Sequence, residues 1–286
     1  MHVRKSIIGV AAALVAIPAG TALAATIQGG PGPERLVGTR VADHIDGNGG
    51  NDRIFGLAGD DELIGGPGND RVFGGRGNDT IRGVQGNDWL NGGAGDDTVV
   101  GDVNGTGDLT SFDRVFGGSG NDKLFGGDSH DRISGGPGDD VSYGENGNDR
   151  MNGGTGNDIQ NGGDGNDTIF ANIGQDTSYG GNGNDTLWAL ARSDVQPDAS
   201  GADPNGDALD GGPGDDTFRT RDGEADHITC GDGNDTALLD TADVITDATP
   251  ANPNGSCERV VRQAPKPKDS KPEDAQQSPK DAQVQN

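Results

Sequence analysis

Aspartate recurs every nine residues along most of the chain, in a glycine-rich setting that could bind a metal ion. The segments GGPGNDRVF (65–73) and GGRGNDTIR (74–82) show the pattern, with Asp at the sixth place and an aliphatic residue at the eighth. A carboxylate is a hard oxygen ligand, and flexible all-oxygen ligation suits Ca²⁺ better than Zn²⁺ or Mg²⁺. The chemistry that this spacing offers is therefore calcium ligation.

The candidate metal ligands are the sixth-place aspartates of two repeat arrays and of two degenerate copies. A first array covers residues 38–101, an insertion covers 102–112, and a second array covers 113–197. The candidates are Asp43, Asp52, Asp61, Asp70, Asp79, Asp88, Asp97, Asp113, Asp122, Asp131, Asp140, Asp149, Asp158, Asp167, Asp176, Asp185, Asp216 and Asp235. The glycine pattern is broken in the loops of Asp131, Asp176 and Asp194.

The other places of the repeat indicate how these aspartates are positioned. Glycine at the first, second and fourth places permits a tight loop with positive φ. The apolar eighth place lies on a short three-residue strand with polar flanks. A loop and a strand use nine residues, so two units make one turn of a flattened all-β spiral. Loops on one edge are then 18 residues apart in sequence and about 4.8 Å apart in space.

Composition and charge explain why such a spiral would need a cation. Only 29% of residues are hydrophobic, glycine and proline make up about 24%, and the formal net charge is −26. Stacked carboxylates would repel by about 1 kcal/mol per pair in water and about 3–4 at an effective dielectric of 20. The chain is therefore either disordered or folded by bound Ca²⁺. Its negative field excludes nucleic acid and anionic lipid as expected partners.

The repeat resembles that of a known family. GGPGNDRVF, GGRGNDTIR and GGSGNDKLF (117–125) are similar to the GGxGxDxUx nonapeptide of the repeat-in-toxin, or haemolysin-type, calcium-binding proteins. The resemblance is close over residues 38–197 and loose over 207–245. It implies a parallel β-roll, a two-sheet solenoid, in which loop carbonyls and Asp side chains of adjacent turns hold several Ca²⁺ ions. Repeats of this family often follow an enzyme or toxin domain, for which little of this chain remains.

One row of the second array departs from the pattern at the eighth place. Polar residues stand there, and apolar or aromatic residues flank them: Ser142, Gln160, Ser178 and Gln196, with Val141, Tyr143, Ile159, Tyr179 and Val195 beside them. A one-residue phase slip would bury the flanks and expose the polar residues. Without a slip, the flanks form an outward patch that could bind a partner. We favour the slip because a strand prefers to bury its apolar face.

The two ends of the chain indicate processing and a tail. Residues 1–24 have a basic start (Arg4, Lys5), a short apolar stretch and a small-residue cleavage site, which predicts a secretory signal and a secreted, extracellular protein. The apolar stretch is shorter than the roughly 20 residues of a membrane span. Residues 25–37 lead into the repeats, and residues 263–286 are expected to form a disordered tail.

The region 198–262 is expected to hold degenerate repeats and a cap closed by a disulfide. The chain has two cysteines, Cys230 and Cys257. An even count behind a secretory signal predicts that they pair. No CxxC motif is present, so a structural role is favoured over a redox role.

The sequence favours a binding protein over an enzyme. His44, His130 and His227 each adjoin a repeat aspartate and lack a companion nucleophile. We therefore expect no catalytic activity. The leading function is a secreted calcium-binding structural or interaction module that folds on Ca²⁺ ligation. The alternatives are a Ca²⁺-dependent adhesin-like protein and, less favoured, an extracellular hydrolase. Expected partners are calcium ions and an unidentified cell-surface or extracellular ligand, without nucleic acid and without membrane insertion.

Overall fold

The computed structural model describes residues 23–102, 111–189 and 206–264 as a two-sheet parallel solenoid. All secondary-structure elements within these ranges are β-strands. Successive strands alternate between two 12-stranded sheets, here called the odd sheet and the even sheet after the strand numbers. The all-β, parallel β-roll expected from the repeats is confirmed.

The strands of each sheet follow one another in chain order. The odd sheet comprises β1 (Thr26–Gln28), β3 (His44–Asp46), β5 (Glu62–Pro67), β7 (Thr80–Gln85), β9 (Thr98–Asp102), β11 (Lys123–Asp128), β13 (Val141–Asn146), β15 (Ile159–Asp164), β17 (Thr177–Asn182), β19 (Ala208–Asp210), β21 (His227–Thr229) and β23 (Val244–Ile245). The even sheet comprises β2 (Arg35–Val37), β4 (Arg53–Ala58), β6 (Arg71–Arg76), β8 (Trp89–Ala94), β10 (Arg114–Ser119), β12 (Arg132–Pro137), β14 (Arg150–Thr155), β16 (Thr168–Phe170), β18 (Thr186–Trp188), β20 (Thr217–Thr220), β22 (Thr236–Leu239) and β24 (Arg259–Arg262).

Most strands of the repeat arrays are longer than the three residues expected. β6 spans six residues, RVFGGR, and so includes the first three places of the following repeat. Those places also pair with the adjacent turns, as Gly75 does with Leu57 and with Gly93. The strands are longer because the first glycines of each repeat still pair with the neighbouring strands of the sheet and do not belong to the loop.

A single roll runs through both arrays and the degenerate copies. β8 pairs with β10 in the register Trp89↔Arg114, across the insertion. β17 pairs with β19 in the register Thr177↔Ala208, across residues 190–205. Residues 1–22 of the predicted signal (1–24), Asp194, Val195, Gln196 and residues 265–286 of the predicted tail (263–286) lie outside the described residues. The sheets therefore continue wherever the chain returns to the repeat register.

The core is one thin apolar row per sheet, made by the eighth place of each repeat. These side chains are all almost completely buried: Ile45, Ile54, Leu63, Val72, Ile81, Leu90, Val99, Val115, Leu124, Ile133, Met151, Ile169, Leu187, Leu209, Phe218 and Ile228. Burying one such side chain stabilises the fold by about 1.5–3 kcal/mol. The core is therefore narrow, and each turn contributes two residues to it.

The phase slip expected in the second array is wrong. Ser142 and Gln160 are buried, at 3% and 0% exposure, whereas Tyr143 and Tyr179 are 36% and 43% exposed. Ser142 pairs with Leu124 on one side and with Gln160 on the other, in the register of the rest of the sheet. The loops before and after each strand are hydrogen-bonded to their neighbours every turn, and a slip would break those bonds.

Buried polar groups in this row hydrogen-bond to one another. The Ser178 hydroxyl and the Gln160 side-chain amide lie 3.2 Å apart. With its amide in the orientation that satisfies both ends, Gln160 also donates to the Phe170 carbonyl and accepts from the Gly153 N–H. This network compensates for the missing apolar side chains.

We expect Ser142→Val to stabilise the roll by about 1 kcal/mol, because it adds buried methyl groups to an otherwise aliphatic row. Thermal unfolding in the presence of Ca²⁺ measures the change. Thr155→Val is the matched control, because Thr155 is exposed and surface changes stay within about 0.5 kcal/mol. A lower melting temperature for Ser142→Val would contradict the inward orientation.

The predicted disulfide closes the last turns of the roll. Cys230 and Cys257 are bonded; they are 27 positions apart in sequence, and their Cα atoms are 5.2 Å apart. Both are buried, and they pack with Ala237 and Val260 in the second core cluster. The bond links the chain after β21 to the chain before β24, so it clamps the C-terminal turns.

We expect Cys230→Ser with Cys257→Ser to destabilise these turns by about 3–4 kcal/mol, since a loop of this length is no longer closed in the unfolded chain. Amide hydrogen exchange in β22 and β24 would report the loss of protection. Wild-type protein treated with dithiothreitol should behave like the double variant. Unchanged exchange in both samples would show that the clamp adds nothing.

Candidate metal centre

The sixth-place aspartates form two rows, one at the entry to each sheet. The odd row contains Asp43, Asp61, Asp79, Asp97, Asp122, Asp140, Asp158, Asp176, Asp207, Asp226 and Asp243, and the even row contains Asp52, Asp70, Asp88, Asp113, Asp131, Asp149, Asp167, Asp185, Asp216 and Asp235. All of these side chains are buried. The roll thus brings together carboxylates that are 18 or more residues apart in sequence.

One oxygen of each carboxylate is used to hold the row together. The Asp52 N–H donates to Asp70 Oδ1 at 2.7 Å, and the Asp70 N–H donates to Asp88 Oδ1 at 2.7 Å. The same bond crosses the insertion from Asp88 to Asp113 at 2.8 Å. Each aspartate is therefore oriented by the backbone of the preceding turn.

The other oxygen, Oδ2, is buried and has no hydrogen-bond donor in most positions of both rows. It lies beside a second acceptor. A Cβ placed on Gly65 would collide both with Asp70 Oδ2 and with the carbonyl oxygen of Gly83 in the next turn. Leaving such an oxygen unsatisfied costs about 1–3 kcal/mol. A buried oxygen without a donor, with a second acceptor nearby, favours a cation or a proton at this position.

The glycines of the loop next to Asp70 are required for two different reasons. Gly66 and Gly68, at the second and fourth places, have φ of 100° and 148°, as the sequence predicts. The first-place Gly65 has no positive φ, so the sequence-based reason is wrong there; a Cβ would fill the space beside Asp70 Oδ2. Leu57 and Val84 replace glycine at the second place of their repeats. Both still have positive φ, which costs some backbone strain.

Burial raises the pKa of row aspartates in the middle of the roll well above 3.8. The pKa of Asp113 rises to about 9, because its burial is the largest effect and the like charges of Asp88, Asp102 and Asp131 add to it. The pKa of Asp88 rises to about 8 for the same reasons. Without a cation, these carboxyl groups therefore hold protons near neutral pH.

The ligand chemistry fits a hard divalent cation. The rows offer carboxylate and backbone carbonyl oxygens, which Ca²⁺ prefers in flexible sites with six to eight oxygen ligands. The histidines do not join them: His44 pairs with Glu62 at 2.9 Å, and His130 is exposed and accepts from the Asn148 N–H. Nitrogen and sulfur ligands typical of Zn²⁺ are absent from the rows as described.

Comparison with known families agrees with this chemistry. The pattern of the RTX calcium-binding nonapeptide repeat matches residues 28–63, 46–81, 73–103, 110–142, 143–160 and 153–187, more than half of the chain. The chain belongs to the RTX calcium-binding repeat family. A comparison with curated proteins found no match. The RTX roll of this protein extends beyond the matched residues, because β19 to β24 continue both sheets.

The structure brings all eighteen candidate aspartates into one of the two rows. Asp131 and Asp176, whose loops break the glycine pattern, keep the same hydrogen bonds as their neighbours. Sequence reasoning did not include Asp207, Asp226 and Asp243 among the ligands. Asp207 follows Asp176 in the odd row, 31 residues later, with an N–H to Oδ1 distance of 2.8 Å. The sequence signal that could have identified two of them is the apolar residue two places after the aspartate: Leu209 follows Asp207, and Ile228 follows Asp226.

The end of the odd row contains an additional carboxylate. Oxygen atoms of Asp207, Glu224 and Asp226 all lie within 4.8 Å of one another, and the three residues are buried. Glu224 stands at the fourth place of its unit, where the repeats have glycine. Near the end of the odd row, a side-chain carboxylate therefore replaces the glycine of a standard repeat loop.

Proposed function

We propose that this protein is a secreted RTX β-roll that folds when its aspartate rows bind Ca²⁺, and that it acts as a structural or interaction module. The observation that carries the proposal is the buried Asp Oδ2 without a hydrogen-bond donor, which recurs along both rows beside the space that a first-place glycine leaves open. The ligands are the aspartates of both rows together with first-place glycine carbonyls, such as that of Gly83. Bound Ca²⁺ supplies the positive charge that this pair of acceptors lacks.

Secretion is supported by the signal-like pattern of residues 1–24. Extracellular calcium modules commonly bind at about 10⁻⁴–10⁻³ M, so a weak cooperative site would fill only outside the cell. Folding would then be coupled to export, since the unneutralised rows oppose folding in low calcium. No helix among the described residues is long and apolar enough to cross a membrane.

Circular dichroism of the mature protein during a Ca²⁺ titration tests this function, with Mg²⁺ as the control. We expect a cooperative gain of β signal with Ca²⁺ alone and its reversal by a chelator. Mg²⁺ keeps its hydration shell more firmly and should not substitute. A signal that is the same with and without Ca²⁺ would refute metal-driven folding.

A Ca²⁺-dependent ligand-binding role is the second candidate, and an outward patch on the odd sheet favours it. Tyr143, Ile159 and Tyr179 project from β13, β15 and β17 and are 36–45% exposed. Exposed apolar side chains grouped on one face often mark interaction sites. Binding to cells that is lost in Tyr143→Ser with Tyr179→Ser would support this role, and binding that survives chelation would contradict it. We assign the protein no catalytic activity.

A further inference from the structure

The outer face of the even sheet carries charge of the opposite sign to the rest of the chain. The strands β4, β6, β8, β10, β12 and β14 contain six arginines and no acidic residue. The odd-sheet strands of the same turns, β5 to β15, contain five acidic and two basic residues. A protein with a net charge of −26 therefore has one cationic face.

Most of these arginines occupy one straight column. The seventh place of successive even-sheet turns holds Arg35, Arg53, Arg71, Trp89, Arg114, Arg132 and Arg150, and these residues pair in register. Neighbouring strands lie about 4.8 Å apart, so the column is about 29 Å long. We call these seven residues the arginine column. Its charges repeat once per turn except at Trp89.

Three arginines of the column lack a described carboxylate partner. The ion pairs found among the described residues are Arg82–Glu62 and His44–Glu62, both on the odd sheet. Arg53, Arg71 and Arg132 are exposed and have no described carboxylate within the ion-pair distance. Like charges stacked at this spacing repel one another. An anionic partner with charges along a line would relieve that repulsion.

Aromatic rings hold the guanidinium groups in place. Arg35 lies 4.7 Å from the centre of the Phe55 ring, and Arg150 lies 4.4 Å from that of Phe170. Arg114 lies 5.0 Å from the ring of Phe112. Cation–π contacts of this kind order the side chains before a ligand arrives, which lowers the entropy cost of binding.

We propose that the arginine column binds a linear acidic polysaccharide, a polymer that carries carboxylate or sulfate groups along an extended chain. Guanidinium groups pair with such oxyanions through two parallel hydrogen bonds. A straight column with an arginine at six of its seven turns fits a polymer better than a single ion. The half-buried rims of Phe55 and Phe73 offer an apolar strip beside the column, against which sugar rings can pack.

The geometry disfavours a single-stranded nucleic acid at this face. Nucleobases bind by stacking on open aromatic faces. Here the Phe55 ring is covered by Arg35 on one side and stacks on Phe73 at 5.1 Å on the other. Phe73 and Trp89 in turn pack in a T-shaped arrangement, with ring centres 4.7 Å apart. The ring faces are thus occupied by neighbouring side chains.

Fluorescence anisotropy with labelled heparin and labelled hyaluronan, added to the Ca²⁺-loaded mature protein at physiological salt, tests the proposal. We expect binding of an anionic chain and no binding of neutral dextran. Arg53→Gln, Arg71→Gln and Arg132→Gln together should weaken binding at least tenfold. The control variant, Arg40→Gln with Arg82→Gln and Lys123→Gln, removes the same charge away from the column and should change affinity less than twofold.

Three results would overturn the proposal: no binding by protein that shows full β signal, equal loss in both variants, or tighter binding of oligothymidylate than of either polysaccharide. Because the column exists only in the folded roll, this inference rests on the proposed function in that one respect. Circular dichroism of the same samples separates the two. Absence of β signal in Ca²⁺ refutes both, whereas a normal β signal without binding refutes the arginine column alone.

Discussion

With calcium removed by a chelator, the protein should gain β structure as the pH falls from about 8 to about 5, because protons can replace cations in the buried rows. Burial raises the pKa of Asp88 and Asp149 to about 8 and that of Asp113 to about 9. In the unfolded chain these groups titrate near 3.8. The folded roll therefore binds more protons than the unfolded chain between these values.

The direction of the pH effect follows from the raised pKa values. Stabilisation by the protonated carboxyl groups is complete below about pH 4 and is lost as the pH rises through the folded pKa values. Circular dichroism of the chelated protein across this range measures it. Protein saturated with Ca²⁺ is the control and should stay folded at pH 8. Chelated protein that folds only as the pH rises would contradict the prediction.

Asp113→Asn should stabilise the calcium-free roll by about 1–3 kcal/mol and weaken its response to Ca²⁺, because an amide satisfies the site without a cation. The side-chain oxygen can still accept from the Asp88 N–H, now 2.8 Å from Oδ1. The amide NH₂ group replaces Oδ2, which lies, like the carbonyl oxygen of Gly126, next to the space that a Cβ on Gly101 would fill. It can donate where Oδ2 could only accept.

Two measurements separate the effects of this substitution. Thermal unfolding of the chelated protein near pH 6 should give a higher melting temperature than wild type, and the Ca²⁺ midpoint at pH 7.5 should rise several-fold. Asp96→Asn is the matched control, since Asp96 is exposed and its Oδ1 accepts from the Asn121 N–H. We expect the control to behave like wild type. A less stable chelated Asp113→Asn protein would show that Oδ2 faces a donor in solution.

The period of the sequence was sufficient to predict the roll and the rows. Each nine-residue unit, such as 65–73, contains its own loop glycines, ligand and core residue, and it packs mainly against units one turn away. In such solenoids, contacts are nearly local, so a repeat specifies its structure without knowledge of distant segments. The pairing of Cys230 with Cys257 was predictable because the chain has only these two cysteines.

Other features depend on contacts that the repeat pattern does not encode. The inward position of Ser142 and Gln160 follows from hydrogen bonds that hold the register every turn, and these outweigh the local preference for burying Tyr143. The place of Asp207 next to Asp176 depends on how the chain returns after a long excursion. The different roles of Oδ1 and Oδ2 arise because one faces a backbone N–H and the other a carbonyl, and that difference exists only once successive turns are stacked.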